Sequence, residues 1–192
     1  FLTEAPTTAL SEGTVYSDEA NLEAGVIGVY WSLKTSNYSW TTQMSEFCSF
    51  PSILIHWKDN RTAENYIQCL RLTMFPHSAE NQGLYDYLYA SIYKCNKMIE
   101  AMSISPVDQT YKNEIEGEVK FIRAWQYFAA VRFWGDIPLI LNTPKNIDET
   151  DAPRVHYMEV YKQILSDIEY AEQNMRTPER VAEVGGMTGR PN

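Results

Sequence analysis

Apolar residues recur at helical spacing in four separate stretches of the chain, and no strand-rich region lies between them. The first stretch, 17–34, carries Leu22, Val26, Val29, Tyr30 and Leu33 on one stripe. It opens on Ser17-Asp18-Glu19, where Ser17 is the expected N-cap and the acids suit the positive end of the helix dipole. Gly25 and Gly28 interrupt this pattern; each weakens a helix by about 1 kcal/mol relative to Ala, so both predict close packing against a neighbour. The second stretch, 80–103, places Leu84, Leu88, Ile92, Cys95, Ile99 and Met102 on one face. A further row, Tyr85, Tyr89 and Tyr93, reads as helix-pair packing, with a stacking surface as the alternative. Asp108 is placed to cap the third stretch, 108–134, which is apolar on two faces: Ile115, Val119, Ile122, Trp125 and Ala129, then Phe121, Ala124, Phe128 and Val131. Such a helix is expected between neighbours on both sides. Gly135 should end it in a positive-φ conformation and Pro138 should prevent its continuation, leaving 136–140 extended. After a polar loop at 142–156, the fourth stretch, 157–175, sets Val160, Ile164, Ile168, Ala171 and Met175 on its core face.

The fold class that follows is all-α, with the two long middle helices joined by a short turn. Residues 35–79 show no sustained period, although they hold Trp40, Phe47, Phe50, Trp57, Tyr66 and Phe75. A long irregular segment inside a compact protein is uncommon and often functional. No stretch approaches the ~18 apolar residues needed to cross a bilayer as a helix.

Composition narrows the function. Twenty-five acids against 16 bases give a net charge of −9, which disfavours nucleic acid and anionic membrane surfaces as partners. Cys48, Cys69 and Cys95 form an odd set without zinc spacing, read as small buried hydrophobes with one disulfide plus a free thiol as the alternative. His156 and Glu159 make an HxxE without a second His, a poor basis for a metal site. Glu114, Glu116 and Glu118 read as a solvated helix start, and there is neither a phosphate loop nor a GxSxG. Asn37-Tyr38-Ser39 and Asn60-Arg61-Thr62 match the glycosylation acceptor pattern, which carries meaning only in a eukaryotic secreted protein.

The run Gly117-Glu118-Val119-Lys120-Phe121-Ile122-Arg123-Ala124, followed by Tyr127 through Leu139 with its Phe133-Trp134-Gly135-Asp136-Ile137-Pro138 core, resembles the signature of the SusD/RagB family of Bacteroidetes surface nutrient-binding lipoproteins. Three other segments agree in the family's order: Phe1-Leu2-Thr3 with Pro6, Tyr93-Lys94-Cys95-Asn96-Lys97-Met98-Ile99-Glu100, and Val160-Tyr161 through Asp167-Ile168-Glu169-Tyr170-Ala171. The resemblance implies tetratricopeptide-like helix pairs with a long irregular segment. It also implies that residues 1–192 are the N-terminal portion of a longer SusD-like domain whose C-terminal remainder is absent. By the same resemblance the protein would be a surface-exposed lipoprotein of the outer membrane. It would bind oligosaccharide or polysaccharide and pass it to a SusC-like TonB-dependent transporter, with no enzymatic activity and no cofactor. The family's lipid-acceptor Cys is missing, so the only membrane attachment implied is a lipid anchor upstream.

Sugar binding needs flat aromatic faces for stacking and planar polar groups that read hydroxyls. Trp57, Asp59 and Asn60 offer both within one loop, and Trp40 and Tyr38 are further candidates in the same segment. Trp57 could equally pack on the helices while Asp59-Asn60 forms a turn. Trp125, Phe128, Phe121 and Trp134 read as core, and Arg123 and Arg132 as partners of Glu116, Glu118 or Asp136. Three other readings stay open: a helical scaffold that binds protein and no sugar, a peptide-binding family member, and a glycan-active enzyme.

Overall fold

The computed structural model describes residues 16–33, 79–145 and 151–184. Five helices run through them: α1 Glu19–Ser32, α2 Ala79–Ile104, α3 Gln109–Trp134, α4 Tyr157–Asn174 and α5 Pro178–Val184. A two-residue strand β1, Ile137–Pro138, pairs antiparallel with β2, Arg154–Val155, opposing Ile137 to Val155 and Pro138 to Arg154. The four anticipated helices are present within two residues of their expected ends. α5 was not anticipated, although Thr177 followed by Pro178 at the first helical position is a start signal.

Local chemistry sets the ends. Asp18, not Ser17, caps α1, its Oδ1 accepting the Asn21 N–H at 2.8 Å. Asp108 caps α3 as expected, accepting the N–H groups of Thr110 and Tyr111. α3 stops at Gly135, whose φ of 68° is open to glycine at little cost and whose N–H bonds to the Val131 carbonyl. The next residue, Asp136, accepts the Tyr157 N–H at 2.8 Å and so satisfies the start of α4.

Two apolar clusters form the core. One joins α1 to the C-terminal half of α2 and the N-terminal half of α3, through Leu22, Val26, Val29, Cys95, Met98, Met102, Ile115, Val119 and Ile122. The other joins the opposite halves of α2 and α3 to β1 and α4, through Leu84, Leu88, Ile92, Tyr127, Ala130, Ile137, Val160 and Ile164. α3 and α4 run antiparallel, with Arg123 meeting Asp167 and Gly117 lying against Asn174 and Met175. Close packing holds at Gly25, where an added Cβ would fall 2.8 Å from the Met98 sulfur, but not at exposed Gly28, which has nothing within 4 Å.

Several expected core positions are corrected. On α4 the buried residue is Asp167, while Ile168 is 41% exposed. On α3, Trp125 and Phe128 are 47% and 42% exposed, because α1 and α2 cover one side of the helix and α4 another, leaving an arc open between. Phe121 and Trp134 are half-buried. Glu114 and Glu118 are buried rather than solvated.

Candidate functional site

The residues expected to bind ligand, Trp57, Asp59, Asn60, Trp40 and Tyr38, lie outside the described residues, as do Cys48 and Cys69. Cys95 is a buried free thiol, and burial pushes it up to about 12.

Residues from three of the four segments that carried the family resemblance converge on one place. After β1 the chain crosses α2 and α3 as an extended strap. Tyr89 donates its hydroxyl to the Pro138 carbonyl at 2.7 Å. Asn96 donates its amide to the Ile140 carbonyl at 2.8 Å. The Tyr127 hydroxyl takes the Ile140 N–H and donates to the Ile140 carbonyl, closing a two-bond clasp. At the far end the Glu100 carboxylate accepts both the N–H and the hydroxyl of Thr143. Burial keeps the Tyr89 and Tyr127 phenols neutral, raising both above their ordinary value.

Behind the strap sits a buried ion pair. Arg123 reaches Asp167 with two parallel N–H···O bonds of 2.8 Å and spends a third donor on the Asn96 carbonyl oxygen at 2.9 Å. Burial acts to neutralise the guanidinium, but the Asp167 hydrogen bonds and charge outweigh it and hold its pKa above the ordinary value. Asp167, forty-four residues away, replaces the partners expected from sequence proximity. Arg132 instead lies over the Phe128 ring, 5.3 Å from its centre. A second polar seam joins Glu114 to Arg176 and Arg180 at 3.0 and 3.2 Å, tying the start of α3 to the segment after α4.

β1, from which the strap departs, forms one wall of a cleft of about 300 Å³ lined by Asn81, Gln82, Tyr85, Trp134, Asp136, Ile137, Pro138 and Arg154. Tyr85 stacks on Tyr89 with centroids 4.4 Å apart and meets Trp134 edge-on at 5.3 Å. The Trp134 indole N–H is held by Asn81 Oδ1 at 3.0 Å. The tyrosine row thus divides: Tyr85 faces the cleft, Tyr89 staples the strap and Tyr93 is 45% exposed. Arg154 escaped the sequence reading, and Asp136 was read only as a motif residue and ion-pair partner, because the 137–155 pairing that brings both to the cleft leaves no local pattern. His156 caps α4 by accepting the Met158 N–H, a long contact of 3.4 Å. Among the described residues no cluster of His, Cys, Asp or Glu could hold a metal ion, and no helix is long and apolar enough to cross a membrane.

A family model described as SusD-like, "Starch-binding associating with outer membrane", matches residues 1–181. The chain belongs to the SusD-like family. It is 26% identical over 173 residues to a SusD-like protein of Formosa agariphila, covering 90% of this chain and 34% of that one. A SusD-like protein of Bacteroides ovatus is 24% identical, over 91% of this chain and 31% of its own length. Among solved structures, a SusD-like protein from Bacteroides fragilis superposes with a TM-score of 0.70 at 24% identity, covering 83% of this chain and 30% of the other. A laminarin-binding SusD-like protein superposes at 0.73 with 20% identity, covering 85% and 36%. This SusD-like chain therefore spans about a third of the length of these relatives, and its fold is the all-α, tetratricopeptide-like arrangement they share.

Proposed function

We propose that this SusD-like chain contributes to a surface receptor that binds oligosaccharide or polysaccharide at the outer membrane and delivers it to a SusC-like TonB-dependent transporter. The observation that carries this reading is the match of the family model, with its starch-binding and outer-membrane description, to residues 1–181. A laminarin-binding protein with the same fold adds weight for glycans as the ligand class. Binding would rest on aromatic stacking and hydroxyl hydrogen bonds from Trp57, Asp59, Asn60, Trp40 and Tyr38, with no cofactor. Membrane attachment would come through a lipid anchor upstream of Phe1.

Titrating intrinsic Trp fluorescence with a glycan panel tests the reading. Trp57→Ala should weaken the best glycan by about 1–3 kcal/mol, the scale of a lost stacked aromatic. A flat response to every glycan overturns sugar binding by this chain, and unchanged affinity in a folded Trp57→Ala removes that residue from the site.

A second reading, a helical scaffold that binds protein, is favoured by one observation. Trp125 and Phe128 of α3 and Leu165 and Ile168 of α4 are all more than 40% exposed. Release of reducing ends, abolished by an Asp or Glu substitution, would overturn both readings.

A further inference from the structure

We propose that the cleft between the start of α2, the end of α3 and the β1–β2 pair is a saccharide subsite for one neutral pyranose unit, built from residues other than the Trp57 set. The inference rests on the glycan-binding reading and adds a place and a chemical class to it.

Size comes first. About 300 Å³ lies at the small end of ligand clefts, matching a single ring or chain end better than a long oligomer. The lining has the two parts that sugar recognition needs. Tyr85, Trp134 and Pro138 give an apolar wall for the C–H face of a ring. Gln82, Asp136 and Arg154 give donors and acceptors around it. Among the described residues neither the Gln82 side-chain amide nor the Arg154 guanidinium has a hydrogen-bond or ion-pair partner, so both can turn to hydroxyls.

The wall is also held in place before any ligand arrives. Asn81 fixes the Trp134 indole, Tyr89 fixes the Pro138 carbonyl, and β-pairing sets Pro138 opposite Arg154. The apolar wall therefore adds little ordering cost, which falls instead on Gln82 and Arg154.

Charge selects the class. The lining holds one cation, Arg154, and one anion, Asp136, and sums to zero. The nearby N-terminus of α4, which could otherwise attract an anion, is already occupied: Asp136 Oδ1 accepts the Tyr157 N–H. A phosphate or uronate would meet the Asp136 carboxylate without a spare helix end to offset it. Hydroxyls suit this lining better, because each can donate to Asp136 and accept from Arg154 or Gln82.

Arg154→Met and Gln82→Ala change exposed side chains and should leave the circular dichroism spectrum unaltered. The parent chain and both variants would be titrated calorimetrically with maltohexaose, laminarihexaose, cellohexaose and an oligogalacturonate of equal length. The Trp134 indole N–H resonance, assigned by its loss in Trp134→Phe, would be followed in parallel. The expected result is binding of at least one neutral hexaose, about ten- to hundred-fold weaker in Arg154→Met, the loss of a hydrogen bond from a charged donor. The Trp134 resonance should shift on saturation of the parent. Glycan binding retained in full by both variants, with no shift at Trp134, overturns the cleft and leaves the proposed function standing. Preferential binding of the oligogalacturonate, lost in Arg154→Met, overturns the neutral class. No binding of any glycan by the parent overturns the proposed function, and the subsite with it.

Discussion

Asp167 stands on the buried face of α4, next to the isoleucine that periodicity assigned to the core, and its carboxylate answers both forks of the Arg123 guanidinium. Both side chains are at most 5% exposed, so removing one partner strands a charge in the interior. Asp167→Ala should cost about 3–5 kcal/mol in urea unfolding. A loss below about 1 kcal/mol would show the pair to be dispensable. Glu118 is a buried carboxylate of another kind, accepting a hydrogen bond from the Tyr30 phenol at 3.3 Å. Burial pushes this carboxyl up to about 7 from 4.5, with Arg176 and the Tyr30 hydrogen bond pulling it down and Glu114 adding to the rise. The folded state therefore holds a proton that the unfolded chain has released between those values. Stability from this group is fully present below about pH 4.5 and is lost as pH rises through about 7, at no more than ~1.4 kcal/mol per pH unit. Glu118→Gln should flatten that decline, so that the urea midpoints of parent and variant diverge in the variant's favour toward about pH 8. An identical pH profile in the two proteins would show that Glu118 keeps an ordinary pKa.

At the scale of the element, each helix is a balance between backbone preference and what its neighbour allows. Gly28 of α1 is exposed with open space around its Cα, so Gly28→Ala should stabilise by about 0.5–1 kcal/mol through helix propensity alone. Gly117 of α3 is buried where the chain passes at Met175; an added Cβ would lie 3.1 Å from that backbone nitrogen. Gly117→Ala should therefore destabilise by roughly 1–2 kcal/mol despite the better propensity. Thermal unfolding of the two variants should move in opposite directions, and a shared sign would defeat the packing argument. The same balance explains α3 as a whole. Its two apolar stripes predicted neighbours on both faces, yet the described elements cover only part of its circumference, and Trp125 and Phe128 remain 47% and 42% exposed. Periodicity reports that a face is apolar; it does not report what covers it.

Across the whole molecule, α2 and α3, each 26 residues long, run through both apolar clusters, and the Asn96–Arg123–Asp167 network sits between them. The clusters share two continuous helices and should unfold together. Far-UV circular dichroism and Trp fluorescence should give superimposable denaturation curves; two separated midpoints would show that the clusters melt independently.

The four long helices and most of the core were legible in the sequence because helix formation is local: caps, spacing and a terminating glycine all act within a few residues. The family was legible for a related reason, since its motif residues lie on those helices. The Trp57, Asp59, Asn60, Trp40 and Tyr38 set stands on sequence alone. What only the tertiary structure decided is which residues meet across the chain. Arg123 could have paired with any nearby acid, and chose one 44 positions away because the antiparallel packing of α3 on α4 put it there. The cleft was invisible for the same reason. Asn81, Trp134 and Arg154 come from three distant segments, and only the packing of α2 on α3 together with the β1–β2 pair brings a tryptophan, a carboxylate and a guanidinium around one space.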